Sequence, residues 1–232
     1  MPKSTSKGSY FSPELFDFLN GLKRHNNRDW FEANKERFLK FVRDPLLSFI
    51  ADRAPHLNRI DPNFVADPSP VGGSLFRIYR DVRFSKNKQP YKTNVGAYFK
   101  HRAGAAKRVS VPGFYLHIQP AASFAASGLW HPEAACLAKV RKAIVEHADD
   151  WKKTRSKIEV EGDSLKRPPR GFDPNHECIE DVKRKDFIVV TPLSDEQIEG
   201  PRFMAEYAAI CKSQLPLAQF LAEALGLSGG QK

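Results

Sequence analysis

Three alternating runs follow one another between Leu75 and Gln119, and they constrain the fold more than anything else in the chain. In Leu75–Phe84, a period of two puts Phe76, Ile78, Val82 and Phe84 on one face, with Arg80 the lone charge among them. Leu75, Arg77, Tyr79, Asp81 and Arg83 fall on the other. In Val95–Arg102, Val95, Ala97 and Phe99 alternate with Tyr98, Lys100 and Arg102. In Phe114–Gln119, Phe114, Leu116 and Ile118 alternate with Tyr115, His117 and Gln119. Successive strand side chains point to opposite faces, so each run predicts a strand with one aliphatic and one polar face. Joined as an antiparallel meander, the strands present a floor of Arg77, Tyr79, Asp81, Arg83, Tyr98, Lys100, Arg102, Tyr115 and His117. Arg80, on the apolar side, is expected to pair with a helix carboxylate.

Helical patterns flank these runs. Ser12, Pro13 and Glu14 read as cap, first turn and early acid of a helix over Leu15–Leu22. Asn27 caps a longer helix with Trp30, Phe31, Phe38, Phe41 and Val42 on its buried face, and Asp44-Pro45 either kinks it or starts a new one. Pro55–Gly73 reads as a loop, and Ala121–Gly128 as a fourth strand or a close-packed turn. His131-Pro132-Glu133 opens a helix, Val160–Asn175 is irregular, and Asn175 caps a short helix to about Lys185. Asp186–Thr191 predicts a buried strand. Ser194 and Gln197 form a capping box before C-terminal helices broken near Gly200-Pro201 and Pro216. The class is therefore α+β: a mainly antiparallel sheet of about four to six strands with N- and C-terminal helices. A single domain is expected over residues 11–227, between a disordered arm, 1–10, and a frayed tail, 228–232.

Several functions are excluded by what the chain lacks. No apolar run approaches the roughly 20 residues of a membrane span, and the N-terminus has no secretory core. Cys136, Cys178 and Cys211 lie far apart, which predicts a reducing cytoplasmic setting without disulfides. Walker, Rossmann, HExxH and CxxC patterns are missing, so no cofactor is implied. His131 and Glu133 with His117 or His176 do not make a convincing metal set, and no metal is expected. Cys178 near His176 lacks an orienting third group.

The net charge of +10 points to anionic partners. Within 75–92, Arg77, Arg80, Arg83, Lys86, Lys88 and Lys92 face one acid, Asp81, with Phe76, Tyr79, Phe84 and Tyr91 between them. Arginine's fork suits phosphate or carboxylate, and phenols add stacking surface and a hydrogen bond. The expected ligand is an anionic small molecule at Arg77, Tyr79, Arg83, Lys86, Lys88, Lys92, Tyr98 and Tyr115. His117 and Asp81 are the candidate proton carriers, although nothing here demands a reaction. A solvated polar face, a single-stranded nucleic-acid module and a protein-interaction scaffold on the terminal helices are the alternatives.

These residues resemble a known family. FRIYRDVRFSKNKQPYKTNVGAYF is similar to the hallmark of the bacterial and fungal domain of unknown function 2461. Asn26-Asn27-Arg28-Asp29-Trp30-Phe31, Gly113-Phe114-Tyr115-Leu116-His117-Ile118, Trp130 with Pro132, and Pro169-Arg170-Gly171-Phe172 ahead of Lys185-Asp186-Phe187 extend the resemblance from Phe11 to about Leu225. The chain departs from the pattern at Asn87, where the family has Asp, and at Ala125-Ala126-Ser127-Gly128, where a glycine-rich turn is typical. The resemblance implies extent and carries no reaction, so no catalytic residue is transferred.

Overall fold

The computed structural model describes residues 8–104 and 110–227; the expected tail at 228–232 and residues 1–7 of the expected arm lie outside the described residues. The architecture is α+β. Helices α1 (Pro13–Arg24), α2 (Arg28–Ala33), α3 (Lys35–Phe38) and α4 (Asp44–Ile60) precede the sheet. Strands β1 (Val95–Lys100), β2 (Gly113–Ile118) and β3 (Ser123–Leu129) follow, then helices α5 (Ala134–Glu146), α6 (Ala148–Arg155) and α7 (Ile179–Val182). Strand β4 (Phe187–Leu193) leads into α8 (Asp195–Glu199) and α9 (Phe203–Ala224). The sheet is antiparallel, in the order β1-β2-β3-β4. No helix among the described residues is long and apolar enough to cross a membrane.

Local chemistry explains most boundaries. Pro13 opens α1, the Asn27 side chain accepts the Trp30 N–H at 2.9 Å to start α2, and Ser194 and Gln197 make the expected capping box. The expected long helix after Asn27 breaks at Asn34 and resumes through a π-helical turn, Leu39–Arg43, into α4. Two prolines do not interrupt helices as expected: α4 runs through Pro55 and α9 through Pro216. Asn175 does not cap α7, which starts after Cys178. Tyr10, assigned by sequence to the arm, donates to Asp52 Oδ2 at 2.8 Å.

The chain forms two compact units. The first comprises Met1–Phe99, Tyr115–Ala125 and Thr191–Ala209; the second comprises Lys100–Phe114, Ala126–Val190 and Ile210–Lys232. Aromatic rings fill the core of the first: Phe11, Phe49, Phe203 and Tyr207 form one group, and Phe18, Phe31 and Phe38 another. Val95, Ala97, Phe99, Leu116 and Ile118 are buried, as the alternation in β1 and β2 predicts. In the second, Trp151 sits among Leu129, Val140, Ile144, Phe187 and Phe220, and its indole N–H donates to Asp181 at 2.8 Å.

Candidate functional site

The central stretch is not the regular strand that its alternation predicts. It pairs through two isolated antiparallel bridges, Leu75 with Ala97 and Tyr79 with Tyr91. Beside them, Phe76 N–H donates to Gly96 O at 3.0 Å, Arg80 N–H to Pro90 O at 2.9 Å and Lys92 N–H to Ile78 O at 2.8 Å. Between the arms of this narrow hairpin, side chains close the turn. Arg83 grips Asp81 through both carboxylate oxygens at 3.0 and 2.7 Å, and Lys88 Nζ donates to the Val82 carbonyl at 3.1 Å. Of the four residues assigned to a core face, Ile78 is buried, while Phe76 is 46% exposed and Phe84 95%. Arg80 is half-buried and donates to the Gln89 carbonyl at 3.3 Å, in place of the expected helix carboxylate.

Residues near the start of the chain fix the hairpin. Asn26 Oδ1 accepts Tyr91 N–H and Asn26 Nδ2 donates to Tyr91 O, both at 3.0 Å, so one amide replaces a strand partner. The Phe31 ring stacks on Tyr91 with centroids 4.2 Å apart. The adjacent asparagines thus divide two tasks, Asn26 holding the hairpin and Asn27 starting α2.

The expected floor is consequently divided. Tyr98, Tyr115 and His117 share the outer face of β1 and β2, with Phe76 laid beside the two tyrosines at 6.4 and 5.8 Å. Lys92 Nζ lies 5.4 Å from the centre of the Phe76 ring, and Arg77 is close enough to act electrostatically on Lys92. Tyr79 packs on Phe31 and Tyr91. Arg83 is committed to Asp81, Lys86 and Lys88 occupy the exposed turn, and Arg102 leaves the strand for a 3-10 turn, Arg102–Gly104. Gln119, on the alternating polar face with His117, and Asn94 and Phe124, which sequence reasoning missed, complete the face around it. One signal was available: a Cβ at Gly96 would lie 2.7 Å from Tyr115 Oη, so a glycine amid β1 marks a close approach there.

The histidine is wired on both ring nitrogens. Tyr115 Oη lies 2.9 Å from Nδ1, Gln119 Oε1 lies 3.3 Å from Nε2, and the Asn94 amide lies 3.1 and 3.2 Å from the two nitrogens. With Nε2–H donating to the Gln119 oxygen, which only accepts, Nδ1 is left to accept from the Tyr115 hydroxyl and the Asn94 amide N–H. Phe124 stacks under the ring at 4.6 Å and 11°. Burial lowers the His117 pKa from its ordinary value, partly offset by the bond to Gln119, and pushes the Tyr115 phenol up to about 12. Burial also lowers the Lys92 pKa, with Arg77 adding to the effect, and no carboxylate among the described residues opposes it. Asp81 is held down at about 2, first by its bond from the Arg83 side chain, so the second candidate proton carrier is an ionised anchor for Arg83.

Behind the hairpin, Arg28 and Glu32 of α2 with Tyr79, Arg80, Pro90 and Tyr91 line a recess of about 310 Å³. It carries both signs of charge, and Glu32 is paired with Lys35 at 3.0 Å.

The family model described as conserved hypothetical protein (DUF2461) matches residues 14–220. The chain belongs to this family. The DUF2461 match spans both the Asn26 clamp and the His117 face. No curated protein and no solved structure matches the chain.

Proposed function

We propose that the outer face of β1 and β2 binds a small molecule bearing a phosphate or carboxylate together with a flat apolar part. Lys92 and Arg77 take the charge, the Asn94 amide adds a hydrogen bond, and Phe76, Tyr98 and Phe124 pack against the remainder. One observation carries the reading. Lys92 is half-buried beside a second cation, and no carboxylate lies within ion-pair range of it among the described residues. A partly desolvated ammonium next to a guanidinium is unfavourable until an anion joins it. Exposed aromatic surface beside it at Phe76 supports a ligand with a planar portion. His117, neutral and hydrogen-bonded to Tyr115, supplies the proton-transfer pair within reach of such a ligand; binding is the part that the geometry supports first. Three buried free thiols support a cytoplasmic setting.

A thermal-shift and calorimetric panel of nucleotides, sugar phosphates and polycarboxylates tests the proposal, because binding to the native state raises Tm by mass action. The expected result is one stabilising anion class whose effect is lost in Lys92→Met and Arg77→Ala, with the unliganded Tm little changed. Stabilisation that survives both substitutions would place the anion elsewhere.

A second reading rests on Phe84 and Tyr79, exposed among cations, which suits a single nucleic-acid strand. It predicts a log–log salt slope of roughly −0.7 per phosphate contacted.

A further inference from the structure

Asp186 is a buried carboxylate, its side chain 3% exposed, that holds an exposed histidine in place. Oδ1 accepts the backbone N–H of His131 at 2.6 Å and lies 3.0 Å from His131 Nδ1, while Oδ2 accepts the N–H of Asp163 at 3.3 Å. Two glycines let these segments meet. Gly128 has φ 124°, and a Cβ there would collide with the Phe187 carbonyl; Gly162 has φ 120°, and a Cβ there would collide with Asp186. His131 itself has φ 47°, a left-handed conformation uncommon outside glycine.

A carboxylate only accepts, so His131 Nδ1 carries a proton and the neutral ring keeps its lone pair on Nε2. Nε2 lies across the ring from Asp186, and the side chain is 62% exposed, so that lone pair faces outward. Trp130 stacks against the same imidazole, centroids 4.3 Å apart and planes 26° apart, yet remains 71% exposed. The smaller imidazole covers only part of the indole. A turn-capping role for Asp186 accounts for its two backbone bonds. It accounts neither for an indole held open to water nor for an imidazole where asparagine would satisfy the backbone equally well.

We infer that Trp130 and His131 form a second ligand site, for a planar heterocycle of the nucleobase class that carries a ring N–H. The ring lies roughly coplanar with the imidazole, donates its N–H to Nε2 and stacks on the uncovered part of the indole. Uracil and guanine offer such an N–H. The site shares no residue with the Lys92 face and requires no anion, so uncharged nucleosides suffice as probes.

Calorimetric titration of the full chain with uridine, guanosine and 3-methyluridine tests the inference, with NMR following the Trp130 indole N–H. Uridine and guanosine should bind saturably and shift that resonance. 3-Methyluridine, with a methyl in place of the donor, should bind about tenfold more weakly. Trp130→Leu and His131→Asn should each weaken uridine about tenfold or more without lowering Tm, since asparagine tolerates the positive φ. Lys92→Met should leave uridine binding unchanged. Equal affinity for uridine and 3-methyluridine would overturn the inference, as would absence of binding by both natural nucleosides or dependence on Lys92.

Discussion

Replacing Asn26 with alanine removes both hydrogen bonds that hold the backbone of Tyr91. Each bond contributes about 1 kcal/mol net. Tyr91 is buried, 3% exposed, so its N–H and carbonyl gain little water in exchange, and the expected loss is about 2–3 kcal/mol. For a chain of this size that corresponds to a fall in Tm of about 5–10 °C. Urea denaturation followed by circular dichroism should show an earlier midpoint at an unchanged slope. Lys92 follows Tyr91 directly, so anion affinity should fall along with stability. Asn26→Asp sharpens the test. The acceptor for Tyr91 N–H remains, but a carboxylate now faces the Tyr91 carbonyl, so the loss at neutral pH should match or exceed that of alanine and shrink on acidification as the carboxyl regains a donor proton. If Asn26→Ala lost less than about 0.5 kcal/mol, the clamp would contribute no more than an ordinary surface contact and the argument would fail.

Three further outcomes follow from other parts of the molecule. Arg53 is fully buried, its guanidinium 5.2 Å from the Tyr207 ring and its three nitrogens without hydrogen-bond partners among the described residues, so Arg53→Met should leave Tm unchanged or raise it; a clear drop would overturn this. Gly96→Ala should cost about 1–3 kcal/mol and abolish anion binding, because the new methyl meets Tyr115 Oη at 2.7 Å and the Leu116 carbonyl at 2.8 Å; an unchanged NMR spectrum for His117 would contradict it. The lowered Lys92 pKa means that the unfolded chain binds more protons between the folded value and the ordinary 10.5, so this residue makes stability rise with pH across that window. Anion binding should restore the charge, with proton uptake in alkaline buffers measurable as heat that varies with buffer ionisation enthalpy and disappears in Lys92→Met.

Alternation in Val95–Lys100 and Gly113–Ile118 told the truth because those strands pair with each other in the sheet and bury one face. The same alternation in Leu75–Phe84 misled, since a period of two describes side chains and says nothing about who pairs with the backbone. There the backbone meets its partners only at isolated bridges, and the facing arm is held at Tyr91 by the side-chain amide of Asn26, 65 residues away, a contact of which single-sequence periodicity carries no trace. The division of the floor follows from that one error: Arg77 and Arg83 share a face only on a regular strand. Pro55 and Pro216 were read as breaks because proline is unfavourable within helices, and tertiary burial on either side of each outweighs that preference. Tyr98, Tyr115 and His117 were legible as one surface, whereas Asn94 and Phe124, in segments without clear polarity, were not.

The division into units has a consequence for how this chain can be cut. Passing from the first to the last residue, the backbone changes unit five times, after Phe99, Phe114, Ala125, Val190 and Ala209. Four of those changes fall inside β1, β2, β3 and β4, and the fifth falls inside α9. No contiguous fragment contains one unit whole without part of the other. Neither can be expressed alone, fused to another protein alone or duplicated as a cassette, and any inheritance of one by a new protein brings the other with it.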